Sequence, residues 1–246
     1  MPGKVIVITG ANGGLGRAIS QRFAADGDTV IMLGRTLSKV QAVADEIGEN
    51  AVAIECEVSS PDSVRAAFAQ IAERYPRIDA LINNAAVFQM LVLEEASDKQ
   101  IIDAVMANLA GPMLCARSAI PLLGAGGHII NVSSESVEVT LPHLIPYQAT
   151  KAGLEQFSRD LNLELMGKGI RVTTVRAGQM TGPGSSAEHD AVAAGRFFEA
   201  ATKRGHHVME RGISQYASTV HIFRTVIDAP ADVHIGVVSF QSRPAG

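Results

Sequence analysis

Residues 4–16 read Lys-Val-Ile-Val-Ile-Thr-Gly-Ala-Asn-Gly-Gly-Leu-Gly, "KVIVITGANGGLG". Five apolar or β-branched residues, Val5 to Thr9, form a strand short enough to be buried on both faces. The glycine-rich stretch Thr9–Gly16 follows at once and opens a helix over Gly16–Ala25. Glycines let backbone amides approach a phosphate closely, and the positive end of a helix favours an anion there. The candidate contacts are Thr9, Gly10, Asn12, Gly13, Gly14, Leu15 and Gly16. The spacing Gly-x-x-x-Gly-x-Gly is wider than the usual dinucleotide fingerprint, and a tight strand-to-helix turn is the plainer alternative. Its position on the first strand–helix unit favours a dinucleotide.

The same alternation continues outward along the chain. Strands are expected at Val5–Thr9, Thr29–Leu33, Ala51–Glu55, Ala80–Ile82, His128–Val132, Arg171–Val175 and His234–Phe240. Helical periodicity lies between them, for instance over Ser63–Arg74 and Asp98–Leu123. Thr36, Ser60-Pro61-Asp62 and Ser97-Asp98 supply helix starts. This pattern predicts an α/β fold: a doubly wound, mostly parallel, seven-stranded sheet with helices on both faces, in three layers and one domain over residues 1–246. Only "GPGSS" at Gly182–Ser186 and the polar, helix-prone segment after it interrupt the rhythm.

Bulk properties narrow the function classes. The 246 residues carry a formal net charge of −4 and are 47% hydrophobic. No basic run or aromatic-interleaved patch points to nucleic acid. No apolar run approaches the roughly 20 residues that span a bilayer, so a cytoplasmic protein is expected. Cys56 and Cys115 are isolated in the sequence, which suggests neither a disulfide framework nor a metal site. Adjacent His206 and His207 do not have metal-ligand spacing either.

Polar residues fall repeatedly at or just after the carboxyl ends of the expected strands, where ligands bind in open parallel sheets. They include Thr9-Gly10, Gly34-Arg35, Glu57, Asn83-Asn84 and Ser133-Ser134, and the small pair Ala177-Gly178 falls at the same place on its strand. After the second strand, Gly34 stands where an acidic residue would hold the ribose hydroxyls of NAD. Arg35 follows, which suits the extra phosphate of NADP, although a solvated surface arginine is the alternative reading. "NNAA", Asn83–Ala86, is read as a turn that braces a neighbouring loop. Asn108 sits inside an apolar helical stretch; such an amide usually faces solvent, but a kinked helix would turn it toward the crevice. "INVSSES" ends the fifth strand with hydroxyls, and Gly-x-Ser-x-Gly is absent, which argues against an α/β-hydrolase. In "IPYQATKAG", residues 145–153, proline marks a helix start and Tyr147 and Lys151 lie one turn apart on one face. Alone, that pair is an ordinary helix surface.

Together, in this order and spacing, Gly10/Gly14/Gly16, "NNAA", Asn108, Ser134 and Tyr147-x-x-x-Lys151 resemble the short-chain dehydrogenase/reductase family over nearly the whole chain. The resemblance implies a nicotinamide-dependent oxidoreductase with a catalytic tetrad of Asn108, Ser134, Tyr147 and Lys151. It implies NADP(H) in preference to NAD(H), held also by Val58, Asn84, Ala85, Ala86, Ala177, Gly178 and Met180, with Tyr147 and Lys151 at the nicotinamide end and Glu57 near the adenine. It places a small-molecule substrate on Ser134, Ser136, Tyr147 and Gln179, with residues 179–212 as a substrate loop or lid, and a homodimer or homotetramer built through the helices after Ala86 and Tyr147. A phenol titrates at about 10; Lys151 and oxidised cofactor are expected to lower that by roughly 1–3 units. This chain departs from the family pattern at Ala86, where glycine is usual, and at Ala177, where proline is usual. A rival reading is a cofactor-binding sensor without turnover. Among enzymes, reduction of a 3-ketoacyl chain competes with reduction of a free ketone or steroid-like alcohol.

Overall fold

A computed structural model describes residues 3–183, 190–230 and 232–244. The chain alternates strictly at first: β1 (Val5–Thr9), α1 (Gly14–Ala25), β2 (Thr29–Gly34), α2 (Leu37–Ile47), β3 (Ala51–Glu55), α3 (Pro61–Arg74) and β4 (Ile78–Asn83). Next come α4 (Asp98–Val105), α5 (Gly111–Ala119), β5 (Leu123–Ser134), α6 (Ile145–Leu165) and β6 (Arg171–Ala177). A two-residue strand β7 (Met180–Thr181), α7 (Ala191–Lys203), a short β8 (Ser214–Gln215), α8 (Tyr216–Asp228) and β9 (Val237–Ser239) complete the order.

Seven strands form one sheet in the order β3-β2-β1-β4-β5-β6-β9, every pair parallel. From β1 the chain winds first to one edge, then returns to β4 and winds to the other. The switch point therefore lies between β1 and β4, and their carboxyl ends open a crevice there. β7 and β8 pair separately beyond β6.

Alternation along each strand feeds two cores. On β1, Ile6 and Ile8 face one side with Phe23 of α1, Val40 of α2 and Phe223 of α8. Val7 faces the other with Phe68 of α3, Cys115 of α5 and Leu161 of α6. Ile6, Val7 and Ile8 are fully buried, so a two-residue side-chain period inside a parallel sheet explains why the run reads as continuously apolar.

The seven expected strands are all present, β1 and β3 with the expected bounds and the others with shifted ends. β5 begins at Leu123 rather than His128 because the register jumps between Ile78 and Ala80, leaving the Gly124–Gly127 stretch as an irregular bulge. The last strand is shorter than His234–Phe240: only three residues pair with β6 at the sheet edge. The expected continuous helix Asp98–Leu123 is broken. A π turn at Met106–Ala110 separates α4 from α5, and a 3₁₀ turn, Ile120–Leu122, ends the stretch. Ser60 and Ser97 do cap their helices, Ser97 in a reciprocal capping box with Gln100. Thr36 precedes α2 as expected, but its hydroxyl makes no capping bond. Cys56 and Cys115, far apart in sequence, are both buried and lie against one another in the core. Of the segment Gly182–Ser186, residues 184–186 lie outside the described residues.

Candidate active site

α6 opens with Ile145-Pro146 in its first turn and carries Tyr147, Lys151 and Glu155 at four-residue intervals along one face. That face lies against the end of β5. Lys151 is 3% exposed; its Nζ donates to the carbonyl of Val132 at 2.6 Å and sits 5.7 Å from the centre of the Tyr147 ring. Burial depresses the Lys151 ammonium from 10.5 to about 8. Tyr147 is half-buried, and its phenol is raised above the ordinary value of 10.0, chiefly by burial; the Ser134 hydroxyl beside it pulls the other way. The expected lowering by Lys151 is therefore not present in the chain alone. Withdrawal of the phenol from water disfavours its anion more than the neighbouring groups stabilise it.

The π turn explains Asn108. It adds a residue to the helix at the point where Asn108 must turn inward, and the amide is fully buried rather than solvated. Its Oδ1 accepts from the Val87 amide at 2.7 Å, while its Nδ2 donates to the Val87 carbonyl at 2.9 Å and to Thr150 Oγ1 at 3.2 Å. Thr150 in turn donates to the Tyr147 carbonyl at 2.7 Å. Asn108 thus fixes the segment leaving "NNAA" and, through Thr150, the first turn of α6. Thr150 was not expected in the site; its spacing from Tyr147 is the only sequence clue.

Across the switch point lies the glycine-rich loop. A Cβ on Gly16 would stand 2.3 Å from the Gly10 carbonyl oxygen and 2.6 Å from Asn84 Nδ2, so only glycine fits that closely packed turn. Gly14 has φ +50°, and Gly13 is extended as the α1 cap with no side chain over the helix end; the first turn holds no acidic residue. The Gly13, Gly14 and Leu15 amides are thereby left for an anion, and this cradle fits the pyrophosphate of a dinucleotide. Thr9 and Asn84 brace the cradle. Asn84 Nδ2 donates to the carbonyls of Thr9 and Gly10, and Thr9 Oγ1 accepts from the Asn84 and Ala85 amides, each at 3.0 Å. Gly10 packs on Ala85, and Ala86 is exposed at the crevice.

At the adenine end, Gly34 is buried against Val40 and Asn12, and Arg35 is exposed with no ion pair among the described residues. Glu57 accepts from the amide and hydroxyl of Ser59 through Oε1, so that oxygen serves its own turn. Val58 is buried beside Gly111. At the other end, Ala177 and Gly178 are buried. The C-terminal tail crosses Gly178 so closely that a Cβ there would lie 2.8 Å from the Phe240 oxygen, which explains glycine without the usual proline. Met180 accepts a bond from Thr219 of α8 on its sulfur at 3.4 Å.

Apolar side chains wall the substrate side. Phe88 meets Tyr147 edge to face at 4.9 Å between ring centres. Leu141, Leu144, Phe197 and Val208 form a separate buried cluster with Met90 and Val139 packed on it. α7 therefore turns Phe197 inward, as an ordinary surface helix would, but the surface it covers is the loop between Ser134 and Tyr147. Arg196 pairs bidentately with Glu95, and Arg211 makes a single bond to Glu135, tying residues 191–211 across the site. Ser136 is buried, its hydroxyl has no partner among the described residues, and its amide donates to Ser134 Oγ. The Gln179 carbonyl, in contrast, is taken by Ser214 and Ser242. His143 holds the single left-handed non-glycine backbone among the described residues, between Ser136 and Tyr147. His206 and His207 join no metal-binding group among the described residues.

Beneath the site is a charge network that the sequence did not disclose. Glu155, 2% exposed, accepts two bonds from Arg176 of β6, at 2.8 and 2.7 Å, and one from Ser133 at 2.8 Å; Arg176 also pairs with Glu138.

Comparison with known proteins agrees with this geometry. Residues 4–191 match the short chain dehydrogenase family. An uncharacterized short-chain type dehydrogenase/reductase of Sinorhizobium fredii is 36% identical over 74% of this chain, a match that covers 33% of that longer protein. An NADP-dependent 3-hydroxy acid dehydrogenase of Salmonella typhi is 32% identical over 72% of this chain and 73% of its own. The solved structure of a dehydrogenase/reductase from Sinorhizobium meliloti superposes with a TM-score of 0.83 at 26% identity, over 98% of this chain and 94% of that one. The chain belongs to the short-chain dehydrogenase/reductase family, a class of NAD(P)-dependent oxidoreductases acting on CH–OH groups. Among the described residues no helix is long and apolar enough to cross a membrane.

Proposed function

We propose that the protein is an NADP(H)-preferring oxidoreductase that interconverts a carbonyl and a secondary alcohol on a small or lipophilic substrate, with Tyr147 as the acid/base. The observation that carries this reading is the convergence of Ser134, Tyr147 and Lys151 at one strand end, across the switch point from an open helix N-terminus. When bound, the nicotinamide supplies or accepts the hydride at the substrate carbon. The chain's own groups do the rest. Ser134 donates to the substrate oxygen and orients it; Tyr147 passes its proton to that oxygen in reduction and takes it back in oxidation. Protonated Lys151 favours the phenolate and holds the nicotinamide ribose, while Asn108 keeps α6 and the segment after β4 in register for both tasks.

The raised Tyr147 phenol keeps the acid form available near neutral pH, which suits carbonyl reduction. Arg35, exposed and without an ion pair where an acid would select NAD, supports NADP(H). The name of the Salmonella relative supports the same preference. Phe88, Met90, Leu144 and Val139 favour an apolar substituent beside the reacting carbon. Lys203 pairs with Glu199, so it does not add to a basic docking surface for an acyl carrier. Ile102, Val105 and Met113 on α4 and α5, with Ile145 and Leu163 on α6, are exposed apolar residues that support self-association through these helices. Light scattering after size exclusion tests that; a single monomeric species overturns it. Turnover of NADPH and NADH against ketones, aldehydes and 3-ketoacyl thioesters tests the reaction itself. Binding of NADPH without any turnover would favour the sensor.

A further inference from the structure

Tyr216 opens α8, more than 200 residues beyond the glycine-rich loop, yet its side chain lies on that loop. A Cβ built on Gly14 would stand 3.3 Å from the Tyr216 hydroxyl oxygen and 3.4 Å from the ring carbon that bears it. The same edge of the ring continues onto Gly182, where a Cβ would come within 2.8 Å of Cδ2. Gly182 directly follows β7, and β7 pairs with β8, the strand that ends at Gln215 just before Tyr216. Three residues into α8, Thr219 bonds the Met180 sulfur. The start of α8 is therefore stitched to the segment after β6 and presents one phenol to the N-terminus of α1.

We propose that Tyr216 is a cofactor-binding residue whose hydroxyl donates a hydrogen bond to the pyrophosphate of the bound dinucleotide. This rests on the function proposed above. The warrant is positional. Gly14 is the first residue of α1, and its neighbouring amides are those an anion would meet. A half-buried phenol whose hydroxyl stands 3.3 Å from a Cβ built at Gly14 brings a neutral donor within reach of the same anion. It balances the anion without adding a cation that would need desolvation. The same placement gives glycine at 14 a second reason, since any side chain there would push the phenol away. It also links the covering segment Met180–Gly182 to the phosphate site through one ring.

The test is direct binding of NADPH and of NADH, by fluorescence titration, to the wild-type chain and to Tyr216→Phe, which keeps the packed ring. A hydrogen bond to a charged group is worth about 1.5–3 kcal/mol, or roughly 10- to 100-fold in affinity. Both dissociation constants should rise by about tenfold or more, by the same factor, because both cofactors share the pyrophosphate. Constants within twofold of wild type, or a loss confined to NADPH, overturn the assignment. Wild-type chain that binds neither cofactor overturns the proposed function as well, so the two failures are distinct. If the variant does not fold, acetylation of Tyr216 in the wild-type protein is measured by peptide mass. NADPH should slow that reaction at least tenfold, and an unchanged rate overturns the proposal.

Discussion

Replacing Lys151 by methionine keeps a flexible chain of similar length and removes the ammonium. In the folded protein burial brings that ammonium from 10.5 to about 8. At about 1.4 kcal/mol per pH unit, this corresponds to about 3 kcal/mol between charged and neutral forms. The folded-state value is depressed, so between about pH 8 and 10.5 the unfolded chain holds the proton more tightly. Unfolding free energy of the wild type must rise with pH across that window. Lys151→Met cannot show this rise. Below pH 8 the variant should therefore be favoured relative to its standing at pH 10, offset by a constant loss of the bond to Val132. Tyr147 is raised above 10.0 by burial and so stays protonated over most of this window in both proteins. Urea unfolding at pH 7, 8, 9 and 10 reads the difference. With a slope near 3 kcal/mol per molar, the gap between the two midpoints should move by about 1 M. A gap constant from pH 7 to 10 would mean that Lys151 titrates as a solvated lysine, and the electrostatic reasoning for the site would be wrong.

His128 gives the mirror case at acid pH. It is 3% exposed, bonds Thr173 at 2.7 Å and is held down to about 3 by burial, with Arg171 and His234 adding repulsion. Its depressed value costs stability as pH falls from about 6.5 toward 3, so His128→Leu should lose roughly 2 kcal/mol less than wild type between pH 6.5 and 4.5. Equal losses in acid titrations followed by circular dichroism would count against it. Glu155→Ala leaves Arg176 and Ser133 without their shared acceptor; denaturant melts should show a loss of about 3–5 kcal/mol, and a loss below 1 would mean water replaces the carboxylate. Arg35→Ala should raise the NADPH dissociation constant by about 10- to 100-fold and leave that of NADH within twofold. Equal effects on both cofactors would remove Arg35 from the 2′-phosphate.

Much of the architecture is legible because it rests on local, periodic signals. Continuous apolar runs such as Val5–Thr9 and Thr29–Leu33 can only be parallel, doubly covered strands. Ser97-x-x-Gln100 writes its own cap. Asn108, Ser134, Tyr147 and Lys151 are expected from the family resemblance rather than from any local signal, and the structure brings Ser134, Tyr147 and Lys151 together at the end of β5 with Asn108 behind them. What escaped notice is what depends on contact between distant segments. Glu155 and Arg176 are 21 residues apart and look like surface charges until a sheet and a helix bring them together. Cys56 and Cys115 look isolated for the same reason. The π turn at Asn108 leaves no composition signal, since one inserted residue in an apolar helix changes no pattern. The β5 bulge hides in "GAGG", which reads as a turn. Tyr216 is the extreme case, an ordinary helix-start residue whose meaning lies at Gly14. The direction of the Tyr147 shift also could not be read from the motif, because burial belongs to the fold and not to the spacing.

The reaction is tested most directly by NADPH consumption with a panel of apolar ketones and aldehydes, wild type beside Tyr147→Phe, with NADPH binding measured on both. The proposed role of Tyr147 requires that the wild type turns over at least one carbonyl, prefers NADPH to NADH, and that the variant binds NADPH within about twofold while its turnover falls by about 10²- to 10⁴-fold, the range of general acid catalysis. Turnover by Tyr147→Phe near the wild-type rate would contradict it.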